Sequence, residues 1–124
     1  MVKSKDLLKK DPVLRRIVEV IVKEIDPDRI ILFGSRARGD YNEGSDYDIL
    51  VLKKGVKPED RRPLQRKIRR ALWREDIYGS AAVDVIVQDV ERFNRLKNEK
   101  YLVYYAISRE GAVIYEKVLR KTMA

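Results

Sequence analysis

The chain contains neither cysteine nor histidine among its 124 residues. The absence of cysteine excludes disulfide bonds and thiolate metal sites. The absence of histidine excludes zinc sites built on imidazole and every nucleophile that a histidine side chain activates. Any catalysis must therefore use carboxylates, hydroxyls, lysine or arginine, together with a metal ion that is held by oxygen ligands.

Long apolar segments are also absent from the sequence. No run of about 20 apolar residues exists, so no segment is predicted to span a membrane. The first twelve residues, MVKSKDLLKKDP, are basic but lack the apolar centre of a signal peptide. A cytoplasmic location is therefore the default expectation.

Basic residues are in excess, and the net charge is +8. The densest basic run is RRPLQRKIRRALWR, in which Leu64, Ile68 and Leu72 recur at helical spacing and are expected to face inward. The outer face of this predicted helix is then basic, and it is either a solvated surface or a contact for an acidic partner or nucleic acid. Its basic residues are Arg61, Arg62, Arg66, Lys67, Arg69, Arg70 and Arg74.

Hydrophobic periodicity predicts helices that alternate with short strands. Asp11 is predicted to cap a first helix that begins at Pro12 and ends before Pro27. Strands are predicted at 29–33, 47–53, 82–88 and 112–116, and further helices at 63–77 and 90–109. We therefore expect one α/β (α+β) domain over residues 1–124, with a mixed sheet of about four strands and basic tails at about 1–10 and 117–124.

Three aspartates are candidates for a metal site. Asp46 and Asp48 are two residues apart on a predicted strand, so they point to the same face with Cα atoms about 6.6 Å apart. Two such carboxylates repel each other unless a cation lies between them, and Mg²⁺ is commonly held by one or two carboxylates and substrate phosphates. Asp84 interrupts the apolar run AVDVIVQ, where a carboxylate is costly to bury. It is either paired with an arginine or a third member of the same site.

The dipeptide Gly34-Ser35 ends the first predicted strand. Glycine permits a sharp turn and the close approach of a phosphate. Ser35 is predicted to cap a short helical turn whose N–H groups point at an anion, and Arg36 and Arg38 add positive charge nearby. An ordinary strand-to-loop turn is the alternative interpretation. The spacing of a Walker P-loop is absent.

Together these residues suit a phosphoryl-transfer site with one or two magnesium ions. Gly34 and Ser35 are expected to bind the terminal phosphates of a nucleoside triphosphate. Asp46 and Asp48 are expected to hold the metal ion. Asp84 is expected to join the metal site and to activate an acceptor hydroxyl for attack on the α-phosphorus.

The stretch GSRARGDYNEGSDYDILV resembles the GSxARGxxxxxSDxDLxV signature of the minimal nucleotidyltransferases, which belong to the DNA polymerase β-like nucleotidyltransferase superfamily. Ile49 stands where this family usually has leucine. The stretch VDVIV resembles the strand that carries the third acidic residue of the superfamily, which is Asp84 here. The resemblance covers about residues 10–117, and it implies a polymerase β-like fold and metal-dependent transfer of AMP from ATP.

The resemblance also implies a partner protein. Many members of the family act as antitoxins beside a HEPN-domain ribonuclease toxin, and they adenylylate a tyrosine of the toxin or bind it directly. We therefore expect ATP as donor and a HEPN-domain toxin as acceptor and complex partner. The predicted elements leave no second domain to hold an acceptor, which favours a protein acceptor. The alternatives are a non-catalytic antitoxin and nucleotidyl transfer to RNA or a small molecule.

Overall fold

The computed structural model describes residues 2–3, 5–79 and 81–118. Its strands are β1 (Val2–Lys3), β2 (Arg29–Phe33), β3 (Tyr47–Lys53), β4 (Val83–Asp89) and β5 (Ala112–Glu116). Its helices are α1 (Lys5–Lys10), α2 (Pro12–Ile25), α3 (Ser35–Arg38), α4 (Arg61–Arg74), α5 (Val90–Leu96) and α6 (Val103–Glu110), and a 3₁₀ turn spans Pro58–Asp60. In these ranges no helix is both long and apolar enough to cross a membrane.

The strands form one mixed sheet in the order β1-β5-β2-β3-β4. Strand β2 is antiparallel to β3 and β5, whereas β3 is parallel to β4 and β1 is parallel to β5. This arrangement confirms the predicted α+β class and mixed sheet. The segment predicted as a basic N-terminal tail adds a short fifth strand, because Val2 and Lys3 pair with Ala112 and Val113, and it also contains α1. Of the predicted C-terminal tail, residues 119–124 lie outside the described residues.

Helices α2 and α4 cover one face of the sheet. The Asp11 carboxylate caps α2 as predicted, because its Oδ1 accepts a hydrogen bond of 3.0 Å from the Leu14 N–H. The apolar stripe of α2 packs on the sheet residues of this face, with Ile17 and Ile21 buried against the side of the sheet that carries Ile30. Burial of these side chains is the main force that holds the helix on the sheet.

Helix α4 is shorter at its C-terminus than the predicted helix over 63–77, and that predicted end was wrong. The helix ends at Arg74, and Asp76 has a left-handed backbone with φ of 56°. A longer helix would place Ile77 one turn after the exposed Trp73, on the solvent face. The early end lets the chain turn back, so Ile77 is only 1% exposed in the core.

Helices α5 and α6 cover the other face, where one long helix over 90–109 had been predicted. That prediction was wrong, because the chain leaves the helix after Leu96 and begins a new one at Val103. The run Lys-Asn-Glu-Lys between them has no apolar side chain to bury, and the Tyr101 that follows it is fully exposed. The break lets both helices lie on the sheet. The rings of Phe93 and Tyr104 meet edge to face there, with their centres 5.9 Å apart.

The end of α6 depends on close packing at Gly111. Its φ of −71° is open to any residue, so the glycine is not needed for backbone conformation. A Cβ at this position would lie 2.7 Å from Ile31 Cγ2 and would also press on the Ile107 carbonyl oxygen. The absent side chain therefore allows the chain to enter β5 directly against β2.

We expect Gly111→Ala to lower the free energy of unfolding by about 1–3 kcal/mol, because the added methyl group overpacks the α6–β2 contact. Urea denaturation followed by circular dichroism measures this loss. Gly44→Ala is the matched control, since its backbone has no positive φ and the nearest atom to its Cβ would be 3.4 Å away. This control should stay within about 0.5 kcal/mol of wild type. Equal stability of the two variants would contradict tight packing at Gly111.

Candidate active site

Two of the predicted aspartates meet across neighbouring strands. Strands β3 and β4 run parallel and in register, with Asp48 opposite Asp84. The Tyr47 N–H donates to the Ala82 carbonyl over 2.9 Å, which fixes this register at the start of the pair. Adjacent strands are about 4.8 Å apart, so two carboxylates on the same face lie side by side.

The aspartates lie where the helices no longer cover the sheet. Asp48 shares its face with Leu50, which is fully buried beneath α5 and α6. Asp48 itself is half-buried, whereas Asp84 and Asp46 are exposed. Their carboxylates are thus accessible to a ligand, while the strands that carry them are fixed by the core.

The pKa of the Asp48 carboxyl reflects this environment. Burial raises it most, and the negative charges of Asp84 and Asp46 raise it further. The positive charge of Arg38 acts in the opposite direction. The other three side chains are therefore within electrostatic reach of Asp48, and a cation bound beside it would relieve the repulsion between the carboxylates.

Two features favour glycine at position 34, namely its backbone conformation and the lack of space for a side chain. Gly34 precedes α3 with φ of 73°, a conformation that favours glycine. A Cβ at this position would overlap Asp48 Oδ2. The sequence predicted that this glycine lets a phosphate approach, and the structure places an aspartate of the site against it.

Ser35 does not cap α3, which corrects the prediction from sequence. Gly34 takes the capping position, no side-chain capping bond is made, and Ser35 is the first helical residue. The turn is closed by the Ala37 and Arg38 N–H groups, which donate to the Gly34 carbonyl over 3.1 Å. Within the described ranges the Ser35 hydroxyl bonds to no other residue. It therefore has hydrogen-bonding capacity for a ligand.

The two arginines of α3 have different surroundings. The Arg36 guanidinium lies 4.0 Å from the centre of the Tyr47 ring, and its Nε donates to the Ser45 carbonyl over 3.0 Å. Arg38 is exposed, with 3.4 Å contacts to Asp40 and Glu110. Arg36 thus holds the loop between α3 and β3, whereas the contacts of Arg38 are of the weak, exposed kind.

Two supporting residues were not identified from sequence. The Tyr47 hydroxyl donates to Asp11 Oδ2 over 2.7 Å, and Arg36 approaches the same oxygen at 3.9 Å. Burial, and then the bond to Asp11, raise the pKa of Tyr47 to about 12. Asp11 was recognised as a helix cap, but no pattern connects it with a tyrosine 36 residues later. This cluster ties the start of α2 to the site loop.

The oxygen ligands are of the type that magnesium prefers. In the part of the chain that the structure describes, however, no three acidic side chains already converge as a set of metal ligands. Asp48 and Asp84 are in register, and Asp46 lies just before β3, within electrostatic reach of Asp48. The arrangement fits an ion that is held by one or two carboxylates and completed by substrate oxygens, rather than by a protein cage.

We expect Gly34→Ala to be less stable than Gly39→Ala by about 1–2 kcal/mol. Both glycines have positive φ, at 73° and 92°, so both variants strain the backbone. Only the Cβ at Gly34 meets another group, Asp48, because nothing lies within 4 Å of a Cβ at Gly39. Urea denaturation of the two variants measures the difference. Equal losses would mean that Asp48 moves aside without cost.

The raised pKa of Asp48 predicts a pH-dependent cost to folding in the metal-free protein. The cost is absent well below the ordinary value of 3.8, where the carboxyl is protonated in both states, and it grows as the pH rises through the raised pKa. Asp48→Asn should therefore have a higher Tm than wild type at pH 7, and the difference should shrink towards pH 3. A difference that does not change with pH would assign the effect to packing and contradict this account.

Sequence comparison identifies the family of the chain. The sequence profile of the nucleotidyltransferase domain matches residues 14–118. A candidate protein adenylyltransferase of Methanocaldococcus jannaschii is 37% identical over 87 residues, which are 70% of this chain and 77% of that protein. A second candidate protein adenylyltransferase from the same organism is 70% identical over 27 residues. This match spans 22% of this chain and only 27% of that relative.

Solved structures agree with this assignment. A candidate nucleotidyltransferase of Sulfolobus solfataricus has a TM-score of 0.60 at 26% identity, over 97% of this chain and 99% of that one. A toxin–antitoxin structure with AMP-PNP has a TM-score of 0.53 at 22% identity, over 83% of this chain and 73% of that one, and this likeness concerns the fold alone. The chain therefore belongs to the nucleotidyltransferase domain family.

Proposed function

We propose that this chain is a magnesium-dependent protein adenylyltransferase that acts as an antitoxin. It transfers AMP from ATP to a protein hydroxyl, and the acceptor is a tyrosine of a HEPN-family ribonuclease toxin with which it forms a hetero-oligomer. The observation that carries this proposal is the in-register pair Asp48 and Asp84 beside Gly34. Further support comes from the relatives described as protein adenylyltransferases and from a neighbour that is a toxin–antitoxin structure with AMP-PNP.

The triphosphate binds at the start of α3 in this proposal. The first N–H groups of a helix have no carbonyl partner inside it, so those of Ser35 and Arg36 suit phosphate oxygens. The Ser35 hydroxyl adds a donor, and the exposed Arg38 exchanges its weak contacts for the phosphates. Arg36 was also expected to bind phosphate. Its bonds to the loop support a positioning role instead, since phosphate binding would release Ser45.

Asp46, Asp48 and Asp84 are the proposed ligands for one or two magnesium ions. All three supply oxygen atoms, and the raised pKa of Asp48 marks a place where negative charges oppose each other. These carboxylates would hold magnesium, which would supply positive charge against the phosphates. The chain itself supplies the alignment, because the sheet fixes two of the three ligands before nucleotide binds.

Asp84 is the proposed general base. It is exposed on β4, which is an edge strand, so an acceptor can approach it from outside the sheet. Its carboxylate takes the proton of the acceptor hydroxyl as the hydroxyl oxygen attacks the α-phosphorus. The bond from the α-phosphorus to the oxygen that bridges it to the β-phosphorus breaks. Pyrophosphate leaves towards Gly34 and Ser35, and AMP stays on the acceptor as a phosphodiester.

We expect Asp48→Asn and Asp84→Asn to lower the rate of AMP transfer by at least about 100-fold each, because each removes a ligand charge from the site. The assay uses ATP labelled at the α-phosphate, Mg²⁺ and the full-length protein encoded by the adjacent gene. Asp76→Asn is the control, since it makes the same chemical change outside the site and asparagine tolerates the left-handed backbone there. This control should keep near wild-type transfer.

The outcomes separate the candidate functions. Absence of label on the protein with wild-type enzyme, together with neutralisation of the toxin by Asp46→Asn/Asp48→Asn, would contradict catalysis and favour an antitoxin that acts by binding alone. Label that appears on RNA instead of protein would move the acceptor to a different class. Label on a tyrosine of the toxin, lost in both site variants, is the expected result.

A further inference from the structure

The outer face of α4 carries four arginines and a tryptophan in one continuous stripe. Its members are separated by three or four residues from one turn to the next, so they lie on one side of the helix. They are Arg62, Arg66, Arg69, Arg70 and Trp73. All are exposed, and the opposite side of α4 is buried against the sheet. We call this set the arginine stripe. It is about 16 Å long, from a rise of about 1.5 Å per residue.

The arginines of this stripe lack acidic partners among the described residues. Arg74 pairs with Glu24 at 2.7 Å, and Arg61 donates to the Val87 carbonyl over 2.8 Å, but both lie beside the stripe. The four stripe arginines form no ion pair with any described carboxylate. The helix itself contains no acidic residue. Like charges one turn apart on a helix repel, so the stripe costs stability and calls for an external role.

Trp73 marks the end of the stripe that is nearest to the candidate active site. It is 71% exposed, and its ring lies 5.3 Å from that of Tyr78. Burial raises the pKa of the Tyr78 hydroxyl, the charge of Arg69 lowers it, and that of Asp84 raises it. The Tyr78 hydroxyl also donates to the Val83 carbonyl over 3.4 Å, so this end of the stripe lies at the start of the edge strand β4, next to Asp84. Asp84 is on the face of β4 that α4 does not cover, so an acceptor docked on α4 reaches it around this edge.

We infer that the arginine stripe docks an acidic helix of the acceptor protein and delivers its hydroxyl to Asp84. Arginine binds carboxylates through paired hydrogen bonds, and an exposed tryptophan is typical of residues that dominate protein interfaces. A partner helix with carboxylates at intervals of three and four residues matches the spacing of the stripe. The inference rests on the proposed function, because that proposal supplies the acceptor protein.

The charges around Trp73 favour a protein over RNA as the docked partner. Glu75 and Asp76 follow the stripe directly, and Asp84 lies beyond it. A phosphodiester chain that ran from the arginines to the site would bring its phosphates against these carboxylates. A protein can present carboxylates to the arginines and a neutral tyrosine hydroxyl to Asp84. It therefore complements the positive stripe without placing negative charge against Asp84.

Binding is measured first, without ATP. The probe is the full-length protein encoded by the adjacent gene, titrated by calorimetry into wild type and into Arg66→Glu/Arg70→Glu. We expect the Kd to rise at least about tenfold in this variant, and to rise similarly in Trp73→Ala. Arg92→Glu/Arg95→Glu is the matched control, since it makes the same charge change on exposed residues of α5 across the sheet. Its Kd should stay within about threefold of wild type, and circular dichroism confirms that every variant is folded.

Transfer of labelled AMP then separates docking from catalysis. Arg66→Glu/Arg70→Glu should raise KM for the acceptor with little change in kcat, because the site residues are intact. Asp48→Asn should bind the acceptor with wild-type Kd but fail to transfer. Wild-type Kd and KM in the stripe variant, with normal transfer, would overturn the docking inference and leave the proposed function standing. Failure of the acceptor to bind wild type overturns both.

A 12-nucleotide single-stranded RNA is the competing probe in the same titration. Stripe-dependent binding of this RNA, with no stripe-dependent binding of the protein, would overturn the inference in favour of nucleic acid. The expected result is binding of the protein that weakens as NaCl rises from 0.05 to 0.5 M, and that weakens less steeply in Arg66→Glu/Arg70→Glu.

Discussion

The parallel, in-register pairing of β3 with β4 is the constraint on which the site depends. It places Asp48 beside Asp84, an arrangement of like charges that costs folding energy. The register is held by residues that follow the aspartates along each strand, because Leu50 and Val51 of β3 and Val87 of β4 are fully buried between the two helical layers. A slip of one residue would turn every side chain of β4 to the wrong face. The core thus provides the energy that keeps the carboxylates together.

The turn at Gly34 packs against the same end of the sheet, next to Asp48. Gly34 closes on Asp48 because it lacks a Cβ, and the loop that returns to β3 is held by Arg36. Arg36 in turn packs on Tyr47, whose hydroxyl is bonded to the carboxylate that caps α2. One chain of contacts therefore links the start of a core helix to the proposed phosphate-binding turn. Such support limits the movement of the turn without occupying its ligand-facing groups.

Charge is separated on the surface of the molecule. The acidic residues of the site lie at the start of β3 and β4, and the arginine stripe lies along α4, whose end is linked to the start of β4 by the bond from the Tyr78 hydroxyl to the Val83 carbonyl. Neither cluster is explained by stability, since like charges repel within each of them. Both are explained if ligands neutralise them, a metal–nucleotide complex at the carboxylates and an acidic protein surface at the arginines. The fold places the two clusters on opposite faces of the same edge strand, β4.

The sequence by itself determined the strands that carry the candidate site and two of the residues proposed for it. Alternation in β3 and the lone aspartate in an apolar β4 identified Asp48 and Asp84, because strand periodicity is local. The sequence could not locate the end of α4 or the break between α5 and α6, since both follow from where Ile77 and Phe93 find space in the core. Only the tertiary structure showed that Arg36 belongs to the loop and that Asp11 supports it. Those roles arise from contacts between distant residues, and no local pattern encodes them.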